Sequence, residues 1–226
     1  MDIVYILEAE IKPDELRYSL RSVCENFPYD MVWFYGGCPD GLRPDRFVPF
    51  NQKGKTPWEK TTSTVKDICE NDEISEDIWL FNDDFFINKK VTDVPYYYYD
   101  RMDGMIKGCE KNGKHQYGDA NRKTRNILQR AGFDTLNYAL HIPMRINREK
   151  GLAVIKRFPK ASMFRSLYGN VYKVGGEERF DVKFEDNLPH NFTAMDFLST
   201  SDESFQDGVI GRYIRERFCN TCRYEV

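Results

Sequence analysis

Three consecutive side chains, Asn82, Asp83 and Asp84, interrupt the apolar run Ile78-Trp79-Leu80-Phe81, and Phe85-Phe86-Ile87 follows at once. Four apolar residues in a row read as a strand covered on both faces. The polar trio then falls at the strand's C-terminal end, the edge where open α/β sheets place their ligands. Oxygen donors there suit Mn²⁺ or Mg²⁺, hard cations that leave coordination positions free for phosphate. The same residues also suit an ordinary strand-end turn, which Asn and Asp favour on their own account.

Other residues carry weaker chemical signals. Arg17 and Arg21 sit four apart on the first helix, where guanidinium groups can reach a diphosphate or pair with Asp14 or Glu25. His141 stands alone in His141-Ile142-Pro143. The run Tyr96 to Tyr99 suits stacking on a sugar or base, and equally suits packing on both faces of a strand. Cys219-x-x-Cys222 has no second pair with which to complete a zinc site. Gly36-Gly37 marks a tight turn; no phosphate-loop fingerprint follows it.

The elements that must position these groups begin with a strand at Ile3–Leu7. A helix opens at Pro13-Asp14-Glu15, with Asp14 as N-cap or first-turn acid and Leu16, Leu20, Val23 and Phe27 as its apolar stripe. Strands at Met31–Tyr35 and Phe47–Phe50, a helix over Pro57–Asn71 and the strand Ile78–Phe81 complete a β-α-β-β-α-β order. Gly104–Gly118 reads as loop, Asn121–Arg130 as a basic helix and Tyr138–Ile146 as a strand. Helices over Asn147–Arg157 and Ser162–Tyr172 and short strands at Phe180–Phe184 and Met195–Ser199 follow. A last helix spans Phe205–Phe218, with Val209, Ile210, Tyr213 and Ile214 inward.

With 226 residues, 41% of them hydrophobic, the chain is sized for one large α/β domain. No run approaches the ~20 apolar residues that span a bilayer. The N-terminus reads as a first strand rather than a leader, and six scattered cysteines suit a reducing compartment, so the cytoplasm is the expected location. The net charge is -3, yet Arg101–Arg165 holds 15 Lys and Arg against 5 Asp and Glu. Such a middle suits a phosphate-rich ligand or is simply a solvated face of helices.

Several of these segments together resemble a known group. Asp14–Val23 (DELRYSLRSV) is similar to the first helix of bacterial and phage GT-A-type glycosyltransferases related to the Stealth capsule sugar-phosphate transferases. Leu80–Phe86 (LFNDDFF) resembles that group's counterpart of the glycosyltransferase D-x-D motif. His141-x-Pro143, Arg165-x-x-Tyr168-Gly169-Asn170, Asp181-Val182-Lys183 and Val209-x-x-x-Tyr213-Ile214-Arg215 resemble later elements of the family.

The resemblance implies a GT-A-like fold over residues 1–226, a mostly parallel sheet flanked by helices with a basic helical region in the middle. Residues 1–95 would form the nucleotide-sugar-binding half and 96–226 the acceptor-side half. It implies metal-dependent transfer from a nucleotide diphosphosugar to an acceptor hydroxyl, with Mn²⁺ or Mg²⁺ on Asn82, Asp83 and Asp84, Asp84 first. Arg17, Arg21, Asn82, Asp83, Arg165 and Lys183 would serve the donor; His141, Tyr168 and Asn170 the acceptor side. An inverting enzyme also needs a carboxylate base, for which Asp202 and Asp207 are the candidates. The basic middle would suit a polyanionic acceptor, a phosphate-containing glycopolymer or DNA carrying hydroxymethylated bases. Sugar-1-phosphate transfer and non-catalytic nucleic-acid binding are the alternatives.

Overall fold

A computed structural model describes residues 1–185 and 188–226. The first half alternates as β1 (Asp2–Ile6), α1 (Pro13–Asn26), β2 (Val32–Gly36), β3 (Arg46–Pro49), α2 (Pro57–Glu70) and β4 (Asp77–Phe81). The chain continues through β5 (Phe85–Ile87), β6 (Tyr97–Tyr98), α3 (Met102–Lys111), α4 (His115–Arg130), β7 (Met144–Asn147) and α5 (Arg148–Arg157). It closes with α6 (Phe164–Val171), β8 (Glu177–Glu178), β9 (Lys183–Phe184), β10 (Phe197–Thr200), α7 (Asp202–Gln206) and α8 (Val209–Arg217).

The central sheet has the order β3-β2-β1-β4-β7, parallel except for the antiparallel edge strand β7. Beyond the aspartates that open β1 and β4, its inner strands are almost wholly apolar because both faces are covered. Ile3, Tyr5, Phe34, Trp79 and Phe81 pack on one face with Leu16, Leu20 and Val23 of α1 and Ile210 and Ile214 of α8. Val4, Ile6, Trp33, Ile78 and Leu80 pack on the other with Val65 and Ile68 of α2, Val154 of α5 and Leu167 of α6. That alternation is the two-residue period of a strand.

A second sheet, β5-β10-β9, positions the polar trio. Ser199 of β10 pairs with Phe85 on one side and Lys183 on the other. Helix α1 pins β5 to itself as a neighbouring strand would. Asn26 Nδ2 donates to the Ile87 carbonyl at 2.7 Å, and the Ile87 amide donates to Ser22 Oγ at 3.0 Å.

Three sequence expectations are corrected, and for Asp14 one of two alternatives holds. Residues 102–111 form α3 instead of loop, and α4 starts at His115. Gly104 suits that helix because a Cβ there would lie 1.5 Å from Asp100 Oδ2. The expected strand Tyr138–Ile146 is regular only from Met144. The last helix breaks into α7 and α8, with Gly208 capping the second, and Val209 faces outward. Lys12 takes the N-cap position of α1, so Asp14 is a first-turn acid.

Candidate functional site

Asn82, Asp83 and Asp84 form the turn from β4 into β5, at the carboxyl edge of the parallel strands. Asn82 and Asp83 line a cleft of about 450 Å³ together with Glu8 and Glu10 after β1, Glu15 of α1, Gln52 and Asp202 of α7. Gln52 is fixed there by donating to the Leu7 carbonyl at 2.9 Å. The fold therefore gathers carboxylates from four separate segments.

Crowding and burial hold some of these acids partly protonated near neutrality. Burial, then Asp84 and Asp202, push Asp83 up to about 7, against the opposing pull of Lys183. Burial, then the charges of Asp83, Asp84 and Asp202, push Glu15 up to about 7 as well. Thr200 Oγ1 donates to Glu15 Oε1 at 2.6 Å and opposes that rise. Asp202 is exposed, as are Glu8 and Glu10.

Asp84 points elsewhere. Its Oδ2 accepts from Lys183 Nζ at 3.0 Å and from Ser199 Oγ at 2.9 Å, in the middle of the second sheet. Burial alone would lower the Lys183 ammonium, but the charge and hydrogen bond of Asp84 outweigh it and hold it above its ordinary value. The first choice for a cation ligand thus moves from Asp84 to Asp83, with Asn82 beside it and Asp202 across the cleft.

Next to Asp84 a second constellation forms around Phe85. The His141 ring stands edge-on to Phe85, centroids 6.3 Å apart, and the Arg165 guanidinium lies 5.2 Å above the same ring. Desolvation lowers Arg165 to about 10, opposed by the charges of Asp84 and Asp181. Arg165 donates to the Leu140 carbonyl at 3.2 Å and to that of Ile142, which fixes the segment carrying His141. Asp181 accepts from the His141 backbone amide at 2.9 Å and bonds its Nδ1 at 2.6 Å. Burial pushes Asp181 up, but its hydrogen bonds with His141 and the charge there outweigh it and leave the carboxyl below its ordinary range. With Nδ1–H donated to the Asp181 carboxylate, the neutral form of the ring leaves Nε2 as its acceptor nitrogen.

Five expected site residues lie elsewhere. Arg17 and Arg21 hold Glu225 of the C-terminal tail, Arg21 through two bonds of 2.7 Å, and not their sequence neighbours Asp14 or Glu25. Tyr168 Oη accepts from the Asn147 amide at 3.0 Å, and Asn170 clamps Leu136 through both its amide and its carbonyl. Both serve packing behind the site. Asp207 caps α7, exposed and outside the lining of the cleft. Sequence reasoning missed Glu15 and Ser199 as site residues, and met Asp181 only as part of a matching segment. Partners more than 100 positions away define the first two.

No protein-family model matches the chain, and no curated protein matches it either. What the fold itself defines is a mixed α/β protein with a mostly parallel central sheet flanked by helices. No helix among the described residues is long and apolar enough to cross a membrane. Nor do any three His, Cys, Asp or Glu side chains among those residues converge as a ready-made metal cage. The donor set, two cleft carboxylates and an amide, still fits Mn²⁺ or Mg²⁺, which proteins commonly hold by one or two carboxylates plus substrate phosphates. Behind burial, the charges of Asp84 and Asp202 add to the rise of Asp83, and a cation would offset that part of it.

Proposed function

We propose that the protein is a metal-dependent glycosyltransferase of the GT-A class, moving a sugar from a nucleotide diphosphosugar to an acceptor hydroxyl. One observation carries the reading: the Asn82–Asp84 turn sets an acid-lined cleft and a Lys-Arg-His constellation side by side at the carboxyl edge of a parallel sheet. Asp83 and Asp202, with Asn82, would hold Mn²⁺ or Mg²⁺, which supplies positive charge to the leaving diphosphate. Arg165, whose guanidinium bonds backbone carbonyls, would supply further positive charge behind Phe85, with Lys183 held beside it by Asp84. His141, oriented through Asp181, is placed to accept the acceptor's proton at Nε2, a role for which the sequence offered Asp202 and Asp207.

Sugar-1-phosphate transfer is the second reading, favoured by the same His141, Lys183 and Arg165 group, whose chemistry suits attack on phosphorus equally well. Direct nucleic-acid binding by the basic helices is weaker, because Arg101, Arg122 and Arg125 are paired with Asp134, Glu110 and Asp103.

The test is a thermal shift against nucleoside diphosphates with and without Mn²⁺, followed by turnover of a donor labelled in both sugar and β-phosphate. A native-state ligand at a hundred times its Kd adds about 2.7 kcal/mol of stability. A metal-dependent shift with one nucleotide, abolished in Asp83→Asn, supports the site; transfer of the sugar label alone supports glycosyl transfer. Transfer of both labels makes it a sugar-phosphate transferase. No shift with any diphosphate refutes the site.

A further inference from the structure

Away from the cleft, a second opening of about 460 Å³ lies between the later turns of α1 and the C-terminal tail, lined by Arg21, Cys24, Tyr29, Cys222 and Arg223. Cys24 on α1 and Cys222 on the tail face this one opening, near enough that each thiol shifts the ionisation of the other. Cys24 Sγ is also 3.2 Å from Tyr29 Oη, and the Arg223 guanidinium sits 5.6 Å above the Tyr29 ring. Cys24 is exposed and Cys222 partly so, whereas Cys69 and Cys109 are buried.

We infer that Cys24 and Cys222 are a reversible disulfide-forming pair, a redox-modification site that fastens the C-terminal tail to α1. Cys219 is nearer to Cys222 in sequence, but it is Cys24 that shares the opening with Cys222. The two thiols also differ as an attacking and a resolving cysteine should. The Cys222 thiol, then the hydrogen bond from Tyr29 and the charge of Arg223, lower Cys24 to about 7 against burial, while the Cys24 thiol and burial raise Cys222. The oxidant is a low-molecular-weight disulfide such as oxidised glutathione. The Cys24 thiolate attacks one of its sulfurs, forms a mixed disulfide and releases one thiolate. Cys222 then loses its proton and attacks the Cys24 sulfur, releasing the second thiol and closing the protein disulfide. Two protein thiols are oxidised and one small disulfide is reduced to two thiols.

The tail is already held by contacts that such a bond would make permanent. Glu225 accepts from Arg17 and Arg21, the Arg43 amide donates to the Tyr224 carbonyl at 2.8 Å, and the Val226 amide donates to the Gly41 carbonyl at 3.2 Å. The inference stands apart from the catalytic reading.

The full chain is incubated with oxidised glutathione at pH 8, free thiols are blocked under denaturing conditions, and the protein is mapped by mass spectrometry without reduction. The expected product joins the Cys24 and Cys222 peptides, weighs two hydrogens less than the reduced chain and reverts in dithiothreitol. It forms equally in Cys219→Ser and not in Cys24→Ser. Its melting temperature rises by roughly 5–10 °C, since the bond closes most of the chain. A Cys219–Cys222 bridge, a stable glutathione adduct on Cys24 with Cys222 still blockable, or a bridge without any rise in melting temperature would overturn the inference.

Discussion

Replacing Glu15 by Gln should remove a pH dependence that the cleft imposes on stability. Glu15 rises from an ordinary 4.5 to about 7 in the folded protein, so the folded state binds a proton more readily than the unfolded chain does. A carboxyl raised in this way stabilises the fold fully below 4.5, and that contribution is lost as pH climbs through about 7. At 1.36 kcal/mol per pKa unit the full swing has a ceiling of about 3.4 kcal/mol. Glu15 is only half-buried, and its shift is shared with Asp83, so about 1–2 kcal/mol is the expected change between pH 5 and pH 8. For a chain of this size that corresponds to roughly 2–8 °C in melting temperature. Gln keeps an oxygen for Thr200 and carries no charge. Glu15→Gln should therefore melt near the wild type at pH 5 and above it at pH 8, and Mn²⁺ at pH 8 should narrow the gap. Differential scanning calorimetry of both proteins across that range decides the matter. Parallel melting curves at every pH would show that Glu15 is not strained by its neighbours, and the electrostatic account of the cleft would fail with it.

Lys183→Met leaves the buried Asp84 carboxylate with Ser199 alone. Removing one partner of a buried pair costs about 3–5 kcal/mol, and with Lys183 29% exposed about 2 kcal/mol is expected. Denaturant unfolding should show the double variant Asp84→Asn/Lys183→Met losing at least 1 kcal/mol less than the sum of the single changes; strict additivity would deny the pair. Asp181→Asn should lower kcat at least tenfold in a donor-turnover assay while the melting temperature moves by only a few degrees, because it frees the His141 tautomer without emptying the core. An unchanged kcat would remove His141 from the proton transfer. Gly169→Ala would place its Cβ 2.5 Å from the Tyr138 ring, and a loss of about 1–3 kcal/mol in chemical unfolding is expected; a neutral result would mean that α6 does not press on Tyr138.

Much of the first half was legible because its strands are apolar on both faces and its helices carry a single stripe. The β-α-β-β-α-β order and the place of Asn82–Asp84 at a strand end both follow from that local pattern. The second half hid its elements behind composition. Glycines at positions 104 and 108 make α3 look like loop, and Gly208 interrupts a stripe that reads as one helix. Side-chain direction was not legible at all. Asp83 and Asp84 are adjacent, and only the pairing of β10 with β5 and β9 decides that Asp84 turns toward Lys183 while Asp83 lines the cleft. Arg17 and Arg21 have plausible partners nearby in sequence, yet the tail that supplies Glu225 arrives from the far end of the chain.

Helix α1 explains why that tail matters to the site. One side of α1 supplies Glu15 to the cleft and holds β5 through Ser22 and Asn26, so its placement sets where the Asn82–Asp84 turn ends. Another side spends Arg17 and Arg21 on Glu225. Burial pushes Glu225 up, but its hydrogen bonds from Arg21, the Cys222 amide and Arg17 outweigh that and lower it to about 2, so the clamp stays charged throughout the pH range in which Glu15 and Asp83 titrate. Protons or a cation can then change the charge of the cleft without loosening the helix that carries one of its walls. A site whose acids must titrate needs such a frame, because a wall that relaxed with each protonation would lose the crowding that raises those acids.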